Sequence, residues 1–132
     1  MKISRSIGYA LVAVGYIAQN HSKDAVLAAD VSKKYKIPLE YLLKILQQLV
    51  RSNILKSKRG PRGGFSLSRA RHEITLLEIF EAIDGPITQR FAIAELACEE
   101  EFSKRIEDVC RNATNGVKKT YGGVSIADIL AG

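Results

Sequence analysis

The stretch of sequence that decides the fold is Lys56-Ser57-Lys58-Arg59-Gly60-Pro61-Arg62-Gly63-Gly64-Phe65-Ser66-Leu67. Its Gly-Pro-Arg-Gly-Gly centre is a strong turn signal, and the residues on either side predict two short strands, 54–58 and 65–67. Because glycine has no side chain, the backbone of such a hairpin tip can approach a phosphate-lined surface closely. The four cations of the stretch favour that approach.

Three helices are predicted upstream of the hairpin: one from a cap at Ser4 or Ser6 to about residue 19, then 26–35 and 38–51. A proline suits the first helical position and disfavours helix in the residue before it, so 36–38 is predicted as a turn. The predicted core face of the third helix consists of Tyr41, Leu42, Ile45, Leu46 and Leu49. Helix, turn, helix, basic hairpin is the element order of a winged helix-turn-helix. We therefore expect a mainly α fold with a small β-hairpin wing.

The second half of the sequence predicts a capped helix over 76–82, an ambiguous segment over 88–98 and a long helix over 99–121. The long helix carries one continuous stripe, formed by Phe102, Ile106, Val109, Ala113, Val117 and Thr120. A second copy of the chain is the simplest partner for this stripe, and packing on its own domain is the alternative. A last capped turn is expected to dock through Ile129 and Leu130. The expected domains are a DNA-binding unit over 1–85 and a dimerisation and sensor region over 86–132.

Charge is unevenly distributed along the chain. Residues 1–72 contain 14 Lys or Arg and 3 Asp or Glu, a charge of about +11, whereas residues 73–132 carry about −5. This split favours a basic half that faces a polyanion, and the hairpin makes double-stranded DNA the expected one. A membrane surface is disfavoured, because a basic amphipathic helix with exposed aromatic residues is missing.

Other classes of protein are disfavoured by the pattern of reactive residues. Ser, Cys and His form no catalytic arrangement in the sequence, so an enzyme is not expected. The two cysteines have no dense spacing, and the chain shows no signal peptide and no apolar run long enough to span a bilayer. These features predict a cytoplasmic protein.

The predicted DNA contacts fall into three groups. The second helix of a helix-turn-helix enters the major groove by its first turns, which here carry Leu39, Glu40, Leu43, Lys44 and Gln47. Lys44 and Gln47 have donors for guanine and adenine, and Leu43 can meet a thymine methyl group. The residues predicted to contact phosphates are Lys33, Lys34, Lys36, Arg51 and Lys56. In the wing, Lys58 adds charge, and Arg59 and Arg62 suit a narrow minor groove.

These segments resemble the IscR/NsrR/CymR family of bacterial winged-helix transcription regulators over nearly the whole chain. The most specific one is the Arg-Gly-Pro-x-Gly-Gly-aromatic wing at 59–65, and the others are 4–11, 37–46, 74–79 and 124–130. The resemblance implies a homodimer joined through the long helix, which binds an imperfect palindrome in promoter DNA as a repressor. It also implies that Arg59 enters the minor groove. Leu43 lies where many members carry Glu, so the operator preference of the family does not transfer.

The sensor region departs from the cluster-binding members, which hold iron–sulfur through three cysteines and a fourth ligand. Ala92, Cys98 and Lys104 fall at the three cysteine positions, Glu107 at the histidine position and Gly8 at the acidic N-terminal position. Cluster ligation needs about four soft donors. We therefore expect no iron–sulfur cluster and no other metal or cofactor.

The two cysteines have different predicted roles, and one of them supports an alternative function. Cys98 is a candidate redox thiol at the start of the long helix, and Cys110 is predicted to be a small buried apolar residue. CymR-like members imply a second kind of input, through a partner protein. The alternative functions are a thiol-based regulator using Cys98 and a winged-helix module that binds RNA or another protein.

Overall fold

A computed structural model of the chain describes residues 2–20, 24–61, 63–88 and 100–132. In chain order the elements are α1 (Arg5–Gln19), α2 (Ala28–Tyr35), α3 (Leu39–Arg51), β1 (Leu55–Lys58), β2 (Gly64–Leu67), a 3₁₀ turn (Arg71–Glu73), α4 (Leu76–Asp84), α5 (Glu101–Gly122) and α6 (Ile126–Ala131). The predicted winged helix-turn-helix is confirmed, with element bounds within about two residues of those expected. Most of the ambiguous segment 88–98 lies outside the described residues.

Helix α3 is anchored by one apolar face. Its buried residues, all exposed by 2% or less, are Leu42, Ile45, Leu46 and Leu49. Tyr41 was expected on this face, but it is 41% exposed at the edge of the helix. Its ring meets that of Tyr9 edge-on, with 5.6 Å between the ring centroids. The prediction for Tyr41 was wrong because a tyrosine at the edge of a stripe can pack its ring while its hydroxyl bonds to a polar partner, here the Ser6 hydroxyl.

The turn between α2 and α3 has the predicted position. Lys36 ends α2 in the left-handed region, at φ +55°, and the Ile37 N–H donates to the Ser32 carbonyl at 3.0 Å. Pro38 is the N-cap of α3 rather than its first helical residue. The turn thus holds α3 at a defined angle to α2.

The wing is a two-stranded hairpin extended by one β-bridge. Strands β1 and β2 pair antiparallel, and Val26 exchanges backbone hydrogen bonds of 2.8 Å with Phe65 on the other edge of β2. Helix α2 therefore begins at Ala28, two residues later than predicted, because the backbone of Val26 is extended in this bridge. Gly64 has φ +146°, and a Cβ there would overlap the Val26 carbonyl. Only glycine allows this close approach without strain.

Helices α4 and α6 begin side by side with matching caps. The Thr75 and Ser125 hydroxyls each accept a backbone N–H three residues on, and Glu78 and Asp128 accept the backbone N–H of the cap residue in return. The two cap residues form an antiparallel bridge, with flanking backbone hydrogen bonds of 3.0 and 2.8 Å. The end of the long helix is thereby joined to the start of α4.

The last helix docks as predicted at one residue and not at another. Leu130 packs against the core and Ile126 is buried, whereas Ile129 is 55% exposed. The expectation for Ile129 was wrong because α6 is one and a half turns long, and its buried side is set by the bridge at its N-cap. Within the described ranges, no helix is both long and apolar enough to cross a membrane.

Candidate nucleic-acid interface

The outward side of α3 gathers the residues that were predicted to face base edges. Leu39 and Leu43 are 42% and 37% exposed, and the other exposed side chains on this side are Glu40, Lys44, Gln47 and Arg51. A shallow hollow of about 460 Å³ lies along the helix, lined by Leu43, Lys44, Gln47, Gln48 and Arg51. The helix is thus apolar towards its own core and mainly polar or cationic towards the outside.

Cations also cluster at the turn before α3. Lys33 and Lys36 are exposed, as expected for phosphate contacts. The Lys34 ammonium group lies over two aromatic rings, 5.1 Å from the Tyr16 ring centroid and 5.5 Å from the Tyr35 ring centroid. In the described part of the chain, none of the predicted DNA-contacting cations forms an ion pair with an acidic side chain. Their charge is therefore not neutralised within the described structure.

The wing presents a third group of cations. Lys56, Lys58 and Arg59 are exposed along β1 and at the tip. Arg62, the second arginine predicted to enter the minor groove, lies outside the described residues. The described wing cations are on the surface, where a phosphate backbone can reach them.

Arg69 fastens the base of the wing to the end of α3. Its Nε donates to the Asn53 carbonyl at 3.2 Å, its Nη1 to the Glu73 carbonyl at 3.3 Å and its Nη2 to Glu78 Oε1 at 3.0 Å. Asn53 is the left-handed residue, at φ +60°, that turns the chain from α3 into β1. The sequence analysis missed this role because the three partners of Arg69 come from three separate segments.

The start of α1 is braced against the first turn of α3. The Ser6 and Tyr41 hydroxyls share a hydrogen bond, and Tyr9 packs against the same tyrosine ring. This contact was also missed, since Tyr41 was expected in the core. It holds the N-terminal end of α3, which carries Leu39 and Leu43.

Helix α5 carries an uncovered apolar stripe. Phe102, Ile106 and Val109 are 58%, 43% and 68% exposed, Ala113 is exposed and Val117 is half-buried. The other side of the helix packs on its own domain, where Tyr121 stacks on Phe80 with 4.3 Å between the ring centroids. The alternative, in which the stripe itself packs on its own domain, was wrong for these residues because a different face of α5 makes that contact. The pairing of the stripe with a second copy stays a prediction.

Cys110 lies between these two faces of α5. It is half-buried and unpaired, and it carries a hydrogen bond from the Thr114 hydroxyl to its carbonyl at 3.0 Å. The expectation of a buried apolar residue is thus met only in part. The redox candidate Cys98 lies outside the described residues.

The donor set does not fit a cysteine-ligated iron–sulfur cluster. The whole sequence contains two cysteines, whereas such a cluster takes three or four thiolates. Of the positions that correspond to ligands, Lys104 is exposed and carries an ammonium group, and Ala92 and Cys98 lie outside the described residues. Among the residues that the structure describes, no three His, Cys, Asp or Glu side chains are grouped for a metal ion.

Known proteins are similar to this chain in sequence and in fold. A family model described as Rrf2, iron-dependent transcriptional regulator, matches residues 3–132. The HTH-type transcriptional regulator BadM of Rhodopseudomonas palustris is 31% identical over 131 residues, which are 98% of this chain and 81% of that protein. The HTH-type transcriptional regulator IscR of Cereibacter sphaeroides is 37% identical over 89 residues, which are 66% of this chain and 57% of that protein.

The fold is similar to that of CymR, the global cysteine regulator of B. subtilis. The TM-score is 0.85, and the superposition covers 99% of this chain and 97% of that one at 23% identity. At this identity the likeness shows a shared fold. The predicted resemblance to the IscR and CymR regulators is confirmed, and the compared proteins are transcription regulators rather than enzymes.

Proposed function

The chain belongs to the Rrf2 family of DNA-binding transcription regulators, and on that premise we propose that it acts as a homodimer that represses transcription from a palindromic operator. In the proposed complex α3 enters the major groove and the hairpin wing enters the adjacent minor groove. Residues 1–85 bind DNA, and residues 86–132 form the dimer and receive the signal. The site of action is the bacterial cytoplasm, where promoter DNA lies.

The two-sided character of α3 is the observation that carries this proposal. One side is held in the core by four residues exposed by 2% or less, while Lys44, Gln47 and Arg51 face outward. A helix whose buried face is fixed in the core holds the hydrogen-bond donors of its exposed face at fixed positions, as base recognition requires. Lys44 and Gln47 suit guanine and adenine edges, and Arg51 suits a phosphate.

The cations around α3 supply the sequence-independent part of binding. Lys33, Lys34 and Lys36 lie at its N-terminal end, and the wing follows its C-terminal end. These groups would neutralise phosphates and release counterions, so affinity should fall steeply with salt. Arg59 at the wing tip suits the negative potential of a narrow minor groove.

A dimer explains both the exposed stripe on α5 and the palindrome. Three large apolar side chains of the stripe are between 43% and 68% exposed, and a second copy related by twofold symmetry would cover them. Such a dimer presents two copies of α3 to two half-sites of opposite orientation. Bound across a promoter, it would exclude RNA polymerase and so act as a repressor.

The signal that regulates DNA binding is proposed to differ from that of relatives that bind an iron–sulfur cluster. The family is described as one of iron-dependent transcriptional regulators. The side chains of this chain nevertheless do not fit an iron–sulfur cluster with three cysteine ligands. The remaining inputs are oxidation of Cys98 and contact with a partner protein. Anaerobic purification followed by iron and sulfide assays tests this point, and stoichiometric iron and sulfide would contradict it.

The test of DNA binding is selection from a pool of random DNA duplexes with the purified full-length chain. We expect a palindromic site to emerge, with affinity that falls as salt rises. At that site Lys44→Ala should weaken binding about tenfold per half-site, the loss typical of one base contact, and about a hundredfold for a dimer that loses the contact in both half-sites.

Lys104→Ala is the matched control, because Lys104 is also exposed but lies on α5, which packs mainly against α4 rather than against α3 or the wing. Its affinity should stay within about twofold of wild type, since the removed charge is distant. Failure to select any sequence, or equal effects of the two substitutions, would contradict the proposed recognition by α3.

A further inference from the structure

We infer that Leu43 reads the 5-methyl group of a thymine, so that one T·A base pair in each operator half-site is specified by an apolar contact. This inference rests on the proposed function and identifies a specificity determinant within the same surface. It says which base is specified at one position of the half-site, whereas the proposed function says only that the chain binds DNA.

Leu43 is an apolar side chain in polar surroundings. It is 37% exposed and forms one wall of the 460 Å³ hollow on α3, whose other walls are Lys44, Gln47, Gln48 and Arg51. A single exposed leucine is common on protein surfaces. This one is distinguished by its place, in the second turn of α3 beside Lys44 and Gln47, the two side chains with donors for base edges.

Leu43 is also dispensable for the core. The buried face of α3 is complete at 2% exposure or less without it, and the Ser6–Tyr41 contact holds the first turn from the other edge of the helix. Leu39, one turn earlier on the same side, is 42% exposed. The two leucines therefore form an apolar edge on the part of the helix that enters the groove.

The major groove offers one apolar group that matches such an edge. Thymine presents its 5-methyl there, whereas adenine, guanine and cytosine present only donors and acceptors. Contact between the Leu43 methyl groups and a thymine methyl removes apolar surface of both molecules from water. Loss of one methyl contact corresponds to about a fourfold change in dissociation constant, and to about fifteenfold when both half-sites lose it.

Uracil substitution tests the contact directly, because uracil differs from thymine only by that methyl group. The probe is the palindromic duplex selected from random DNA with the full-length chain, with each thymine of the half-site replaced in turn by deoxyuridine. Wild-type protein should lose affinity about fourfold per half-site at one thymine position. Leu43→Ala should bind the thymine and uracil duplexes equally well at that position.

Leu39→Ala is the matched control, since it shortens the neighbouring leucine and should retain the uracil effect at the same position. Leu43→Met, which keeps an apolar side chain, should retain part of the effect. Circular dichroism and the melting temperature establish that each variant is folded.

The possible outcomes distinguish a failure of the proposed Leu43–thymine contact from a failure of the proposed DNA-binding function. A selected palindrome that is insensitive to uracil at every thymine would overturn the inference and leave the proposed function standing. A uracil effect that persists in Leu43→Ala would also overturn it, because another group would then be reading the methyl. Selection of no DNA sequence would overturn the proposed function itself, and the exposed leucines would then belong to a protein-binding surface.

Discussion

Helices α3 and α5 are both amphipathic, but their apolar faces meet different surroundings. Leu46 on α3 is fully buried, whereas Val109 on α5 is 68% exposed. Helix α3 is surrounded by α1, α2, α4 and β1, while α5 packs mainly against α4. The apolar face of α3 is therefore buried within one chain, whereas that of α5 stays exposed in the single chain.

This difference has an energetic consequence. Apolar surface on α3 stabilises the folded chain at any protein concentration. In the proposed dimer the stripe on α5 would contribute only when a second copy covers it, so its contribution would depend on protein concentration through mass action. On that proposal residues 1–85 should behave as the folding unit, and the long helix as the association unit.

The largest effect is expected from Leu46→Ala, which tests the folding role of α3. Leu46 is fully buried, so its truncation leaves a cavity and should lower the free energy of unfolding by about 4 kcal/mol. Urea denaturation followed by circular dichroism measures the change. Leu39→Ala is the matched control on the same helix, and its loss should be below about 1 kcal/mol. Equal losses would contradict the one-sided anchoring of α3.

The second prediction concerns the joint between the wing and α2. Gly64→Ala should cost about 3 kcal/mol, because the new Cβ overlaps the Val26 carbonyl and φ is +146°. Gly60→Ala shares a positive φ, of +106°, but its Cβ would have no atom within 4 Å. We expect about 1 kcal/mol there, from backbone strain alone. Comparable urea midpoints for the two variants would show that the Val26–Phe65 bridge does not constrain the wing.

The third prediction tests the association role of α5. Val109→Asp places a charge twice in the proposed interface, so the dimer dissociation constant should rise about a hundredfold. The fold of each chain should survive, since Val109 is exposed in the single chain. Analytical ultracentrifugation over a range of concentrations measures the dissociation constant.

Asn115→Asp is the matched control for Val109→Asp. Asn115 is exposed on α5 away from the stripe, so this substitution adds the same charge to the same helix outside the proposed interface. A dimer that tolerates Val109→Asp as well as Asn115→Asp would show that another surface joins the two copies.

The smallest effect is expected at the capping box of Ser125 and Asp128, which lies where the end of α5 is joined to the start of α4. Hydrogen bonds from the Ser125 backbone N–H and, second, from its side chain hold the pKa of Asp128 below its ordinary value. The folded carboxylate is thereby favoured, so its contribution to stability is present above the ordinary Asp pKa. It is lost as the pH falls through the lowered value.

Asp128→Asn should accordingly reduce the loss of melting temperature between neutral and acidic pH by a small amount. Ser125→Ala, which removes the other half of the cap and leaves the carboxylate, should lower the melting temperature at neutral pH. An unchanged acid profile in Asp128→Asn would show that this cap does not contribute to the pH dependence.

Local signals in the sequence were sufficient for the elements and for the polarity of the surface that is proposed to face DNA. Caps act over three residues, so Thr75 and Ser125 predicted the starts of α4 and α6. The proline turn and the glycine-rich tip depend on the backbone preferences of single residues. The spacing of apolar residues likewise placed Lys44 and Gln47 on the outward side of α3, because helical periodicity is a local property.

Contacts between distant segments required the folded chain. The sequence does not show that Val26 forms a β-bridge with the wing, that Arg69 joins Asn53 to Glu78, or that Tyr41 lies outside the core and bonds to Ser6. The stripe on α5 was predicted, but its exposure depends on what packs against it, as does the half-exposed position of Leu43. Periodicity specifies which residues share a face, whereas the free energy of burying that face depends on the neighbours that the whole chain brings to it.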